Sequence, residues 1–194
     1  MSKINEGNFL LISSDIHNNE DVFQNLAKVA EQQNCLAFLY AGDLNIENII
    51  INATLRSRNF LFIPVQGNCD NKWDAIDVGL DLPLYRTCSF QGLKIFLTHG
   101  HMYYDPDSAG LSNNDFDIVI NGHSHVNSIR KETLKLKENS KEIIYLNPGS
   151  PTWPRGRSKA SYALIIFKEN KSVSVQIRDL RGDSLLSEET ITLH

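Results

Sequence analysis

No apolar run in this 194-residue sequence approaches the roughly 18 residues that a membrane-crossing helix needs. A helical membrane protein is therefore not expected. The opening Met1–Asn8 contains Glu6, and only the short apolar stretch Phe9–Ile12 follows, so the start does not read as a signal peptide. Cysteine is scarce: Cys35, Cys69 and Cys88 are odd in number, widely separated and form no CxxC pair. Such usage does not suggest a disulfide framework or a structural zinc site, and a reducing cytoplasm is the expected compartment. Basic charge is also short, with 19 Lys and Arg against 23 Asp and Glu and a formal charge of −4. Stable nucleic-acid binding draws on many cations facing phosphates, so it is not expected. A small phosphorylated substrate stays open, because bound metal cations reverse the local charge of an acidic pocket. Low-complexity segments, internal repeats and linkers are absent as well, and one domain over residues 1–194 is the expectation.

What is present is a regular alternation. The apolar runs Phe9–Ile12, Leu36–Tyr40 and Phe60–Val65 have strand length. Between them, Val22, Phe23, Leu26, Val29 and Ala30, then Ile46, Ile49, Ile50, Ala53 and Leu55, recur at helical spacing. Asn18 or Asn19 is placed to cap the first helix, with Glu20 and Asp21 in its opening turn. Strand–helix–strand repetition implies a buried parallel sheet. The remainder is richer in strands. Leu93–Thr98 and Ile118–Asn121 stand alone, Ile129–Leu136 pairs with Ile143–Leu146, and Tyr162–Phe167 pairs with Val173–Ile177 across polar turns. The expected fold class is α/β, a two-sheet sandwich with helices on the outer faces.

Five strands run directly into residues that ligate metals. The clusters are Ser14-Asp15-Ile16-His17, Gly42-Asp43, Gly67-Asn68-Cys69-Asp70, Thr98-His99-Gly100-His101 and Gly122-His123-Ser124-His125. Five of the six histidines fall in them; His194 is the exception. In α/β sheets, sites form beyond the carboxyl ends of strands, so five such ends can converge. Asp15 and His17 are two apart, as are His123 and His125, which in extended backbone points each pair to one face. The neighbouring glycines permit tight turns or close backbone approach. Singly, an Asp-x-His reads as a capped turn and a Gly-Asp as a plain one. In this order, each after a strand, they read jointly as a metal site. Carboxylate, amide oxygen and imidazole together suit Mn²⁺, Fe or Zn²⁺.

The order DxH, GD, GN, HGH, GHSH resembles the calcineurin-like metallophosphoesterases, and GNCD, THGH and Asn147-Pro148-Gly149-Ser150 resemble the YfcE-type phosphodiesterases of bacteria and archaea. The resemblance runs from about Phe9 to Phe167. It implies a metallophosphoesterase sandwich holding two divalent ions, Mn²⁺ foremost and Zn²⁺, Fe or Ni²⁺ as alternatives. Asp15, His17 and His125 would bind one ion, Asn68, His99 and His123 the other, and Asp43 both. Cys69 stands where the wider superfamily often carries a proton-donating His, and it agrees with the YfcE-type pattern. Asn18 replaces a common Gly, and Asn tolerates the left-handed backbone. A possible homo-oligomer is also implied.

Cys69 and His101 are the candidates for catalytic groups, with a role orienting a ligand as the alternative for His101. Asn147–Ser150 reads equally as a plain turn or as part of the site. Arg155, Arg157 and Lys159 form a solvated loop or a phosphate clamp. Trp73 and Trp153 read as packing or interface residues, and Cys35 and Cys88 as core. The resemblance implies a phosphodiesterase in which a hydroxide shared by the two ions attacks phosphorus in line. A phosphomonoesterase on the same centre, or a non-catalytic protein-binding scaffold like the eukaryotic retromer subunit of this fold, are the alternatives.

Overall fold

The computed structural model describes residues 8–46, 55, 59–71, 81–135 and 140–193. Its strands are β1 (Phe9–Ser13), β2 (Ala37–Tyr40), β3 (Leu61–Pro64), β4 (Tyr85–Phe90), β5 (Leu93–Thr98), β6 (Ile118–Ile120), β7 (Ser128–Lys135), β8 (Ser140–Asn147), β9 (Ser161–Phe167), β10 (Ser172–Asp179) and β11 (Leu185–Thr192). The helix α1 spans Glu20–Gln32. Two mixed sheets result, ordered β11-β10-β9-β1-β2-β3 and β4-β5-β6-β8-β7.

Each sheet contains a run of three parallel strands, at one edge of the first sheet and at the centre of the second. β1 pairs parallel with β2, and β2 with β3; β5 pairs parallel with β6, and β6 with β8. Antiparallel strands continue the first sheet on one side only, from β1 to β9, and flank the second on both sides, at β4 and β7. Both expected hairpins, β7–β8 and β9–β10, are present.

Side chains alternate between two buried faces, which fixes register because a one-residue slip would exchange them. Leu10, Ile12, Ala37, Leu39, Ile95, Leu97, Ile118, Ile120, Ile144 and Leu146 share one apolar cluster between the sheets. Their neighbours Phe9, Leu11, Phe38 and Tyr40 turn to the opposite face, where Phe23, Leu26 and Ala30 of α1 cover them. Asn19, not Asn18, caps that helix by accepting the Val22 N–H at 3.1 Å.

Helices on the outer faces are thinly represented. Among the described residues α1 is the α-helix, and it covers the first sheet. The second helical pattern, from Ile46 to Leu55, lies mostly outside the described residues, although Ile46 and Leu55 themselves pack with the α1 cluster. The outer face of the second sheet is covered by Phe116, Tyr85, Tyr103 and two short 3-10 turns, Asp107–Ala109 and Asn113–Asp115. No described helix is long and apolar enough to cross a membrane.

Candidate metal centre

The loops that leave β1, β2, β3, β5, β6 and β8 are tied together by backbone hydrogen bonds. Asp15 N–H donates to the Gly42 carbonyl at 3.0 Å, His17 N–H to Asp43 at 3.0 Å, and Gly122 N–H to His99 at 3.0 Å. The ligand-bearing residues do not lie in extended backbone, as alternate spacing suggested. Asp15 (φ 55°), His17 (φ 48°), Asp43 (φ 58°), His123 (φ 65°) and His125 (φ 60°) are all left-handed, and so is Asn18 (φ 62°). Each such residue costs on the order of 1–3 kcal/mol, a strain that typically gathers where function requires one geometry. The i, i+2 pairs therefore converge through paired left-handed turns, not through strand pleat. Two glycines make room for this. A Cβ at Gly67 would overlap the Asp43 carboxylate, and one at Gly122 would overlap the Ser14 hydroxyl.

The side chains meet at two poles that share Asp43. At the first, His125 Nε2 is 3.3 Å from Asp15 Oδ1 and 3.1 Å from His17 Nε2, and His17 Nε2 is 3.7 Å from Asp43 Oδ2. At the second, His99 Nε2 is 3.4 Å from the same Asp43 Oδ2 and 3.1 Å from Asn68 Oδ1. Backbone carbonyls orient two of the imidazoles. His99 Nδ1 lies 2.7 Å from the Ala41 carbonyl and His125 Nδ1 lies 2.8 Å from that of Trp153. With the proton drawn to Nδ1, each Nε2 lone pair points into the cluster, as a metal ligand requires.

The donor set fits a divalent cation on one further observation. Asp15 is fully buried, and its Oδ2 accepts hydrogen bonds from Ser14 Oγ and, at 3.0 Å, from His123 N–H. Its Oδ1, also buried, has no hydrogen-bond partner. An unpaired buried carboxylate oxygen is costly, and a cation between Asp15, His17 and His125 would satisfy it. Atoms of these three residues lie within 4.8 Å of one another, as do those of Asp15, Asp43 and His99, and those of His17, Asp43 and Cys69.

Electrostatics point the same way. Burial raises the Asp15 carboxyl above its ordinary range, ahead of the opposing Ser14 hydrogen bond. Burial works to raise Asp43 too, but hydrogen bonds from His99 and Cys69 N–H outweigh it and hold this carboxyl well below its ordinary range. Burial works to lower His99, and Asp43 and Asp15 more than offset it, so the imidazole is raised. A proton on His99 and a cation beside it are alternatives, since both take the Nε2 lone pair.

Other expected residues sit at the margin. His123 is exposed, with its ring centroid 5.1 Å from that of His99. His101 is half-buried, 5.2 Å from the His99 ring, and its imidazole is lowered, by burial first and then by His99 and His123. Cys69 is exposed; its thiol is pushed up by burial first and then by Asp43. Asn147 is a strut: its Nδ2 donates to the Gly122 carbonyl at 2.8 Å and to Ser124 Oγ at 3.0 Å. Ser150 Oγ donates to the Asp15 carbonyl at 2.8 Å. Lys159 pairs with Asp179 at 3.2 Å. Trp153 does not enter the core: it is 60% exposed and stacks on His17. Trp73 lies outside the described residues. Cys35 is buried, Cys88 is partly buried, and all three cysteines are free.

Sequence reasoning missed Asp70 as a support. Its carboxylate accepts the N–H groups of Asp43, Gly67 and Asn45 at 2.9, 2.8 and 3.0 Å. An Asp three residues after a Gly in a strand-terminal loop is the available signal, since such side chains cap turns.

This architecture occurs elsewhere. The structure of the phosphoesterase YfcE from Escherichia coli superposes with a TM-score of 0.73 at 20% identity, covering 96% of this chain and all of that one. Vps29 from Entamoeba histolytica shares the fold at a TM-score of 0.59. In sequence, the chain is 30% identical over 186 residues to the probable metallophosphoesterase YsnB of Bacillus subtilis, covering 91% of this chain and 94% of that one. It is 31% identical over 104 residues to phosphodiesterase YfcE of Escherichia coli K12, a match spanning only 51% of that relative's length and 53% of this chain. The model of the calcineurin-like phosphoesterase superfamily domain matches residues 9–170, the stretch from β1 through β9 that carries every left-handed ligand turn described above. By that match the chain belongs to the calcineurin-like phosphoesterase superfamily.

Proposed function

We propose that this protein is a phosphodiesterase that works with two divalent ions, Mn²⁺ foremost. One observation carries the reading: Asp43 Oδ2 stands between two imidazole poles, 3.7 Å from His17 Nε2 and 3.4 Å from His99 Nε2. Asp15, His17 and His125 would hold one ion, Asn68, His99 and His123 the other, and Asp43 both. Two such ions supply Lewis-acid charge for the phosphoryl oxygens and an acidified water as nucleophile.

The protein's own part is geometry. The carbonyls of Ala41 and Trp153 fix the imidazole tautomers at His99 and His125. Asp43, held ionised, places negative charge where two cations would otherwise repel each other. His101, half-buried beside His99 at the margin of the cluster, is placed to contact the phosphate of a substrate small enough to enter. That a relative is named a phosphodiesterase supports reading a diester rather than a monoester as the substrate. The three free cysteines are compatible with a cytoplasmic location.

The test is turnover of a simple diester and a simple monoester by the full chain, stripped of metal and reloaded with Mn²⁺. The reading expects Mn²⁺-dependent diester hydrolysis exceeding monoester hydrolysis. Higher monoester turnover would assign a phosphatase instead. No hydrolysis of either, on folded protein with two ions bound, would leave the scaffold alternative.

A further inference from the structure

We infer that Trp153 is a positioning residue for one pole of the centre, acting through His17 and His125. The inference rests on the two-ion reading above. Three contacts carry it. The Trp153 carbonyl accepts the His125 Nδ1 proton across 2.8 Å. The indole lies nearly parallel to the His17 ring, with centroids 5.3 Å apart and planes 18° apart. Trp153 N–H donates at 2.8 Å to Ser150 Oγ, whose own proton goes to the Asp15 carbonyl at 2.8 Å. A single turn after β8 thus touches all three donors of the first pole. The second pole draws its support from elsewhere, through the Ala41 carbonyl on His99 and Asp70 on the Asp43 backbone.

His17 is the donor that needs this support. His99 and His125 each have a carbonyl at Nδ1, whereas among the described residues no partner holds His17 Nδ1. Its backbone is left-handed at φ 48°. The flat indole restricts ring rotation, and restricting a ligand before metal arrives lowers the ordering cost of binding. Exposure of the indole supports the same conclusion. A tryptophan left 60% in water forgoes most of the stabilisation that burial would provide. Its place is explained by what it covers.

The experiment uses the full chain, stripped of metal and titrated with Mn²⁺ alone, with binding followed calorimetrically and by the electron spin resonance of free Mn²⁺. Trp153→Ala is expected to weaken one ion about tenfold, the lower end for losing a residue that orients a ligand, while the other ion holds its affinity. Trp153→Phe, which keeps a flat ring, restores it. In an Asn68→Ala background Trp153→Ala still weakens the remaining ion; in a His125→Ala background it adds nothing. Unchanged binding of both ions in Trp153→Ala overturns the inference. So does equal weakening of both ions together with a lower melting temperature, which marks a merely structural residue. If the wild-type chain takes up fewer than two ions, the two-ion reading itself fails, and the inference falls with it.

Discussion

Asp70 accepts the backbone N–H of Asp43 at 2.9 Å across a separation of 27 residues, joining the β2 and β3 loops directly beneath the shared carboxylate. The same carboxylate holds Gly67 N–H and Asn45 N–H. Asp70→Ala would leave three donors without this acceptor, each costing about 1–3 kcal/mol where water cannot replace it. The expected outcome is a lower melting temperature and weaker Mn²⁺ binding at both poles, with Asp70→Asn intermediate because its amide oxygen still accepts. Thermal unfolding and metal titration of both variants check this. Full stability in Asp70→Ala would show that the loops are held by other means.

Asp43 is the residue that the two-ion reading assigns to both poles. Asp43→Asn removes the negative charge between the two sites while keeping the size of the side chain. Metal analysis is expected to show both ions weakened. Diester turnover under limiting Mn²⁺ should fall by at least about a hundredfold, the scale of losing one preorganised charge contact. Near-normal turnover under limiting metal would mean that Asp43 is not shared.

The strand-end clusters were legible because each joins two strong signals, an apolar run of strand length and a ligand-bearing turn. All five lie where that reading placed them. Two strands were not legible. β4, Tyr-Arg-Thr-Cys-Ser-Phe, and β11, which carries Glu188 and Glu189, are edge strands. Edges carry polar and charged residues to discourage further pairing, and this erases the apolar alternation that marks a strand. Gln91 and Gly92, both left-handed at φ 49° and φ 87°, form the two-residue turn that could have announced β4. The left-handed ligand turns escaped for another reason: Asp, His and Asn tolerate that backbone better than most residues but adopt it in only a minority of positions, so their presence does not announce it. Trp153 escaped because stacking on His17 joins residues 136 positions apart in sequence.

Proton and metal compete at this centre, so its metal affinity depends on pH. His99 is raised above the ordinary imidazole value of 6.5, because Asp43 and Asp15 outweigh the burial that would lower it. For the metal-free chain, this raised group contributes stability that is fully present below its unfolded value and is lost as pH rises through its folded value. Mn²⁺ binding has the opposite sign, since it requires the proton to leave. The gain in melting temperature on adding Mn²⁺ is therefore expected to keep growing as pH rises above 6.5, where an ordinary imidazole would already be mostly deprotonated. Melting curves with chelator and with Mn²⁺ across that range measure it. A gain that does not change with pH would remove His99 from the ligand set.

Cys69 tests how the leaving group receives its proton. Its Sγ lies among the donors, within 4.8 Å of ligand atoms of His17 and Asp43, and accepts from Asn68 Nδ2 at 3.2 Å. Burial first, and then Asp43, push the thiol above its ordinary value, so in the metal-free chain it stays protonated at neutral pH. A bound cation would work in the other direction, toward thiolate. Neither form makes a strong acid catalyst: a thiolate has no proton to give, and a thiol is a weak donor. Activity should therefore favour esters whose leaving groups need little protonation, such as aryl esters. Cys69→Ser is expected to keep most turnover of an activated diester, while His99→Ala nearly abolishes it by removing a donor from the second pole. Cys69 is exposed, so a larger side chain there is not forced into the core. Cys69→His should then raise turnover of unactivated diesters more than that of activated ones. All three variants are compared on both substrates at saturating Mn²⁺, with metal content measured alongside. If Cys69→Ser falls as far as His99→Ala while still holding two ions, the sulfur takes part in the chemistry, and proton supply at this site must be traced through it.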